Sequence, residues 1–133
     1  MLIPKFVQSE VKVLSEQECV ESIWLIGSQA NGTANKESDW DLLVFQDKDV
    51  EHITHSSNLI DVVRVSTASR FLQTDGYNHS YSFSSWEWKP INNKYALYIG
   101  KHFIEYKDGI RSSSSPIYEE KLCKAYCLWS RRT

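Results

Sequence analysis

Two carboxylates one residue apart, Asp39 and Asp41, stand at the entrance to an apolar run, Leu42-Leu43-Val44-Phe45. In an extended chain alternate residues share a face, so both acids point the same way. Like charges at the mouth of a buried strand repel each other unless something positive lies between them. A divalent cation meets that need, and magnesium takes a couple of carboxylates together with phosphate oxygens and waters. Upstream, the apolar run Ile23-Trp24-Leu25-Ile26 stops at Gly27-Ser28. Glycine lets the backbone approach a bulky anion closely. N–H groups at such a turn, with the Ser28 hydroxyl, can hold phosphate oxygens. Downstream, Asp61 interrupts the apolar segment Leu59 to Val65, and a carboxylate buried there needs a partner. If the three runs are neighbouring strands, Asp61 faces Asp39 and Asp41. Three carboxylates can hold two metals about 3.5–4 Å apart, the geometry for in-line displacement at phosphorus. The alternative reading of Asp61 is a structural partner of Arg64 or Lys36.

The elements around these residues follow from periodicity. Pro4 opens a first helix carrying Val7, Val11 and Leu14 on one side, and Ser15 to Glu18 has the form of a capping box that restarts a short helix. Residues 23–26, 42–45 and 59–65 read as buried strands, 29–38 as a polar turn-rich loop, and 47–55 as a short helix. Tyr81 to Trp88 alternates like a strand, with Trp86 and Trp88 on one face. Pro90 fits the start of a helix bearing Ile91, Tyr95, Tyr98, Ile99 and His102, followed by a strand over 103–106. Ser112 to Ser115 reads as a linker. Ser115 and Pro116 then open a last helix over 116–131. Tyr118, Leu122, Ala125, Tyr126 and Trp129 form its stripe, and Arg131 and Arg132 sit at its negative end.

Size and charge bound the function. A chain of 133 residues makes one domain, 1–133, with one core. A formal net charge of −2 argues against a nucleic-acid partner held by phosphate neutralisation. There is no apolar run long enough for a membrane span and no secretory leader. Cys19, Cys123 and Cys127 have no framework spacing and read as reduced structural thiols, so the expected location is the cytoplasm. His52 and His55 read as surface residues rather than zinc ligands, and His79 as a solvated loop residue. Trp86 and Trp88 read as core, with stacking against a base or an acceptor ring as the minority reading.

The segment Ile26-Gly27-Ser28, ten residues (29–38), then Asp39-Trp40-Asp41-Leu42 resembles the signature of the DNA polymerase β nucleotidyltransferase superfamily. That signature is a hydrophobic residue with Gly-Ser, a spacer of similar length, and alternating Asp and hydrophobic residues. A third Asp on a later strand belongs to the pattern, and Asp61 matches it. The resemblance is to the minimal members. It implies an α/β (α+β) fold, a small mixed β-sheet flanked by helices, and a site for Mg²⁺ (two ions) and a nucleoside triphosphate, ATP first. Carried over, Gly27, Ser28 and Lys36 bind the nucleotide. Asp39, Asp41 and Asp61 bind metal, and Asp61 also helps to deprotonate an acceptor hydroxyl. Many minimal members carry Arg where this chain has Asn31; either that cation is absent or Lys36 supplies it.

The implied reaction transfers an NMP to a hydroxyl and releases pyrophosphate. Relatives that modify small molecules hold the acceptor on a second, helical domain, for which this chain has no room. The acceptor platform is therefore expected on a partner protein, as in two-gene toxin–antitoxin modules of this superfamily. The alternative is a binding module that keeps the fold, has lost catalysis and acts through protein contact.

Overall fold

The computed structural model describes residues 2–49, 58–74, 80–106 and 116–132. The chain runs α1 (Lys5–Ser15), β1 (Val20–Ile26), α2 (Gly27–Asn31), β2 (Trp40–Gln46), β3 (Ile60–Ser66), β4 (Phe71–Thr74) and β5 (Ser80–Ser82). A 3-10 turn (Phe83–Trp86), β6 (Lys89–Pro90), β7 (Tyr95–Tyr106) and β8 (Pro116–Ser130) follow. The strands form one eight-stranded sheet in the order β5-β4-β3-β2-β1-β8-β7-β6. β2 and β3 are parallel, and the other neighbouring pairs are antiparallel.

Both faces of the central strands are covered, which is why they read as continuous apolar runs rather than alternating ones. On one face Ile23, Leu25, Leu42, Val44, Ile60 and Val62 pack with Val7 and Leu14 of α1. Val7 and Leu14 are the buried positions of that helix, and each contributes about 1.5–3 kcal/mol by its burial. On the other face Trp24, Leu43 and Val65 pack with Phe83, Ala96, Tyr98, Cys123 and Ala125, and Trp86 and Trp88 lie against them. Alternation puts Asp41 and Asp61 on this second face. No helix covers it in the described residues; the segment 83–88 crosses it with its aromatic rings.

The sheet therefore outweighs the helices. The expected flanking helices over 91–102 and 116–131 are instead β7 and β8, paired along most of their length from Tyr95↔Tyr126 to Tyr106↔Pro116. Strand β8 runs between β1 and β7 over its last residues, where Cys123 and Ala125 pack on one face and Tyr126 and Leu128 on the other, and the spacing of its apolar residues happens to contain a helical stripe. The alternation expected over 81–88 ends at the 3-10 turn, where Ser82 accepts from the Ser84 amide. Residues 15–18 do not restart a helix: they make the turn into β1, and Gln17 N donates to Leu14 O. Arg131, at the end of a strand and not of a helix, holds that turn. It donates to the carbonyls of Val20, Ser15 and Gln17 and lies 5.0 Å from the Trp129 ring centroid.

The helix expected over 47–55 falls mainly outside the described residues, as do His52, His55, His79 and the serine run. Cys19, Cys123 and Cys127 are thiols. No helix is long and apolar enough to cross a membrane among the described residues.

Candidate active site

Asp41 and Asp61 are Cα partners in the parallel register of β2 and β3. Their side chains lie side by side on the same face of the sheet, close enough for the two acids to interact. Asp41 is accordingly raised from 3.8 to about 7, first by burial, then by the charge and hydrogen bond of Asp61, then by the charge of Asp39. Asp39 is exposed, one residue ahead of β2. The loop before it is held by its own side chains: Asn35 Oδ1 accepts from Glu37 N, Ser38 Oγ accepts from Asn35 N, and Gln29 Nε2 donates to Ser38 O. Arg64 is no partner of Asp61 in this arrangement. It lies on the opposite face, where it donates to Gln17 and Gln46.

Gly27 sits directly over this pair. Ile26 pairs with Asp41 across β1 and β2, so the next residue passes beside the Asp41 carboxylate. A Cβ on Gly27 would run into Asp41 Oδ2, and its φ of +75° is one that side-chain-bearing residues rarely adopt. The Gly27 amide donates to the Tyr98 hydroxyl at 3.1 Å. Burial pushes Tyr98 up to about 12, so it stays protonated. Asn31 closes the short helix α2 and ties it to the sheet. Its Nδ2 donates to Gly27 O at 2.8 Å, and its Oδ1 accepts from Lys124 N of β8 at 2.9 Å.

A cleft of about 830 Å³ opens beside Gly27 and Ser28. Trp86 and Tyr98 line its apolar part; Lys121 lies on the same sheet face as Tyr98 and is ion-paired with Glu119 at 3.6 Å, whereas the register puts the Lys101 side chain on the opposite face. Lys36, the cation expected from the sequence, is exposed in the loop before Asp39 and does not line this cleft. The structure thus brings Asp41, Asp61 and Gly27 together, with Ser28 at the cleft. None of Asp39, Asp41 and Asp61 lines the cleft itself; Asp39 is exposed ahead of β2, and Lys36 stands apart. Among the described residues no group of three His, Cys, Asp or Glu side chains is gathered tightly enough to hold an ion. The tight unit is the Asp41–Asp61 pair. That donor set suits a hard divalent cation, because two oxygen-bearing acids held in contact gain more from a shared cation than from a proton once the pH exceeds about 7.

A family model described as polymerase beta, nucleotidyltransferase, matches residues 9–78. The chain belongs to this family. The matched span covers more than half of the chain and contains Gly27, Ser28, Asp39, Asp41 and Asp61. No curated protein and no solved structure matches the chain. As a polymerase β-type nucleotidyltransferase, the protein builds the far wall of its cleft from residues beyond the matched span: Trp86, Tyr98, Lys101 and Lys121. Sequence reasoning placed Tyr98 on a helix and passed over both lysines. The missed signal was the apolar run Tyr95 to Ile99, too short for a helix of its own and bounded by Gly100.

Proposed function

We propose that the protein is a magnesium-dependent nucleotidyltransferase that moves the NMP of a nucleoside triphosphate, ATP among them, onto a hydroxyl of a partner protein. The observation that carries this reading is the contact of Asp41 with Asp61 directly beneath the glycine turn at Gly27. Asp39, Asp41 and Asp61 would hold magnesium, which when bound neutralises phosphate charge and makes the acceptor hydroxyl more acidic. The turn at Gly27 and the Ser28 hydroxyl would face the triphosphate, and Lys121 at the cleft would offset part of its charge. The acceptor oxygen attacks the α-phosphorus, the bond from that phosphorus to the bridging oxygen breaks, and its electron pair leaves with pyrophosphate. Asp61 takes the proton of the acceptor hydroxyl. Catalysis comes mainly from in-line positioning and charge stabilisation.

Calorimetric titration with each NTP, with Mg²⁺ and with EDTA, tests the site. Binding should require Mg²⁺ and vanish in the Asp39→Ala, Asp41→Ala double variant. NTP labelled at the α-phosphate then reports transfer to a co-purified protein. Folded protein that binds no NTP would overturn the reading and leave a docking module in its place.

A further inference from the structure

The two tryptophans of the segment 86–88 have different surroundings. Trp88 is packed among Trp24, Phe45 and Phe83, with centroids at 5.1, 5.1 and 6.1 Å. Trp86 is half-buried and lines the cleft. Its indole is stacked on Tyr98 at 5.1 Å and 24°, and lies 5.3 Å from Phe83. Tyr98 is itself fixed through its hydroxyl to the Gly27 amide. Trp86 is thus a flat apolar surface, held by its neighbours and joined through one side chain to the turn above the Asp pair.

We infer that Trp86 is the stacking platform for the nucleobase, and that this site selects its nucleotide by stacking rather than by reading a base edge. The inference rests on the nucleotidyltransferase reading for what enters the cleft, and adds which end of the ligand lies where. The volume of about 830 Å³ lies within the usual range for small-molecule sites, roughly 300–1,000 Å³. Trp86 stands on Tyr98 of β7, and the cleft lysine that shares that face of the sheet, Lys121, is ion-paired with Glu119 at 3.6 Å; the segment 82–86 forms the wall around the ring. Beside Trp86 that wall offers the hydroxyls of Ser82 and Ser85. A hydroxyl both donates and accepts, so it does not separate the amino edge of adenine from the carbonyl edge of guanine. Every base has a π-face, and base–aromatic stacking tolerates sequence. Purines present the larger face, so ATP and GTP should bind alike and UTP more weakly.

The test is equilibrium binding of MgATP, MgGTP, MgUTP and magnesium tripolyphosphate to the full chain and to Trp86→Leu and Trp86→Phe. Leu fills space without a π-face, and Phe keeps one. Trp86→Leu should lose about ten- to a hundred-fold in affinity for ATP and GTP. Trp86→Phe should recover most of it, and tripolyphosphate should bind all three proteins equally. Three results each overturn the inference: ATP affinity unchanged in Trp86→Leu, tripolyphosphate affinity falling in parallel with ATP, or wild type that binds one purine far better than the other. ATP binding that depends on Trp86 without pyrophosphate release would sink the transferase reading and leave the stacking platform standing. Magnesium-dependent transfer that is indifferent to Trp86 would do the reverse.

Discussion

Asp41 and Asp61 lie opposite each other on parallel strands, beside a glycine that has no room for a side chain, and burial with the neighbouring acid holds Asp41 well above the usual carboxylate range. Such a pair costs stability when both members ionise. Replacing one carboxylate by an amide removes the repulsion and keeps a hydrogen bond. Asp41→Asn and Asp61→Asn should therefore raise the melting temperature of metal-free protein at pH 8 by a few degrees, about what 1 kcal/mol gives a domain of this size. Both should lower transfer by about a hundred-fold or more. A variant that melts lower than wild type in EDTA would contradict the description of the pair.

The same pair sets a pH dependence whose sign follows from Asp41. Its pKa is about 7 when folded, against 3.8 ordinarily. Below 3.8 both states hold the proton and the group is neutral to stability. Between 3.8 and about 7 the folded protein keeps a proton that the unfolded chain has released, so each rise in pH favours unfolding, until the loss is complete above about 7. Magnesium competes with that proton. Melting curves in EDTA should fall from about pH 5 to pH 8, and the rise produced by Mg²⁺ should be larger at pH 8. A magnesium effect of equal size at both pH values would show that the cation does not bind at the pair.

What was legible in the sequence divides at the edge of the glycine–aspartate region. Gly27, Asp41 and Asp61 were readable because each ends or interrupts a short apolar strand, and a polar residue in such a place has few structural uses. The second half misled because only the later part of β8, beside β1, is covered on both faces, while residues 117–122 are exposed. Cys123 and Ala125 pack toward Tyr98, while Tyr126 and Leu128 pack toward the α1 side. With Glu119, Glu120, Lys121 and Lys124 interrupting it, apolar residues of this strand, Tyr118, Leu122, Ala125 and Trp129, fall at helical spacing by coincidence. Asn31 was legible as a departure from the relatives' Arg, but its bond to Lys124 was not, because it depends on β8 lying beside α2.

The two assignments of the second half differ in solution. Among the described residues only α1, of 11 residues, and α2, of 5, are α-helical, with a 3-10 turn of 4, whereas β7 and β8 have 12 and 15. Far-UV circular dichroism should be dominated by strand. A helical signal large enough to account for two further helices over 91–102 and 116–131 would refute the sheet order described above.

Asn31 is committed to structure. Asn31→Arg would restore the cation of many relatives and break the bonds to Gly27 O and Lys124 N. The expected result is a stability loss of about 1 kcal/mol for the unmade bonds and no gain in NTP affinity. A tighter triphosphate complex with unchanged melting would show that the position is open to a phosphate ligand after all.

Gly27 and Gly32 offer an internal control for the close approach over Asp41. Both have left-handed φ, +75° and +74°. At Gly32 a Cβ meets nothing within 4 Å, whereas at Gly27 it meets the Asp41 carboxylate. Gly32→Ala should cost only the left-handed backbone term, about 1–2 kcal/mol. Gly27→Ala carries that same term and must also displace Asp41 from Asp61, so it should cost more by about 1–3 kcal/mol, the range for overpacking. It should also abolish magnesium-dependent nucleotide binding, which Gly32→Ala leaves in place. Chemical denaturation of the two variants with NTP titration beside it decides the matter. Equal costs and equal affinities would mean that the turn does not bear on the acid pair.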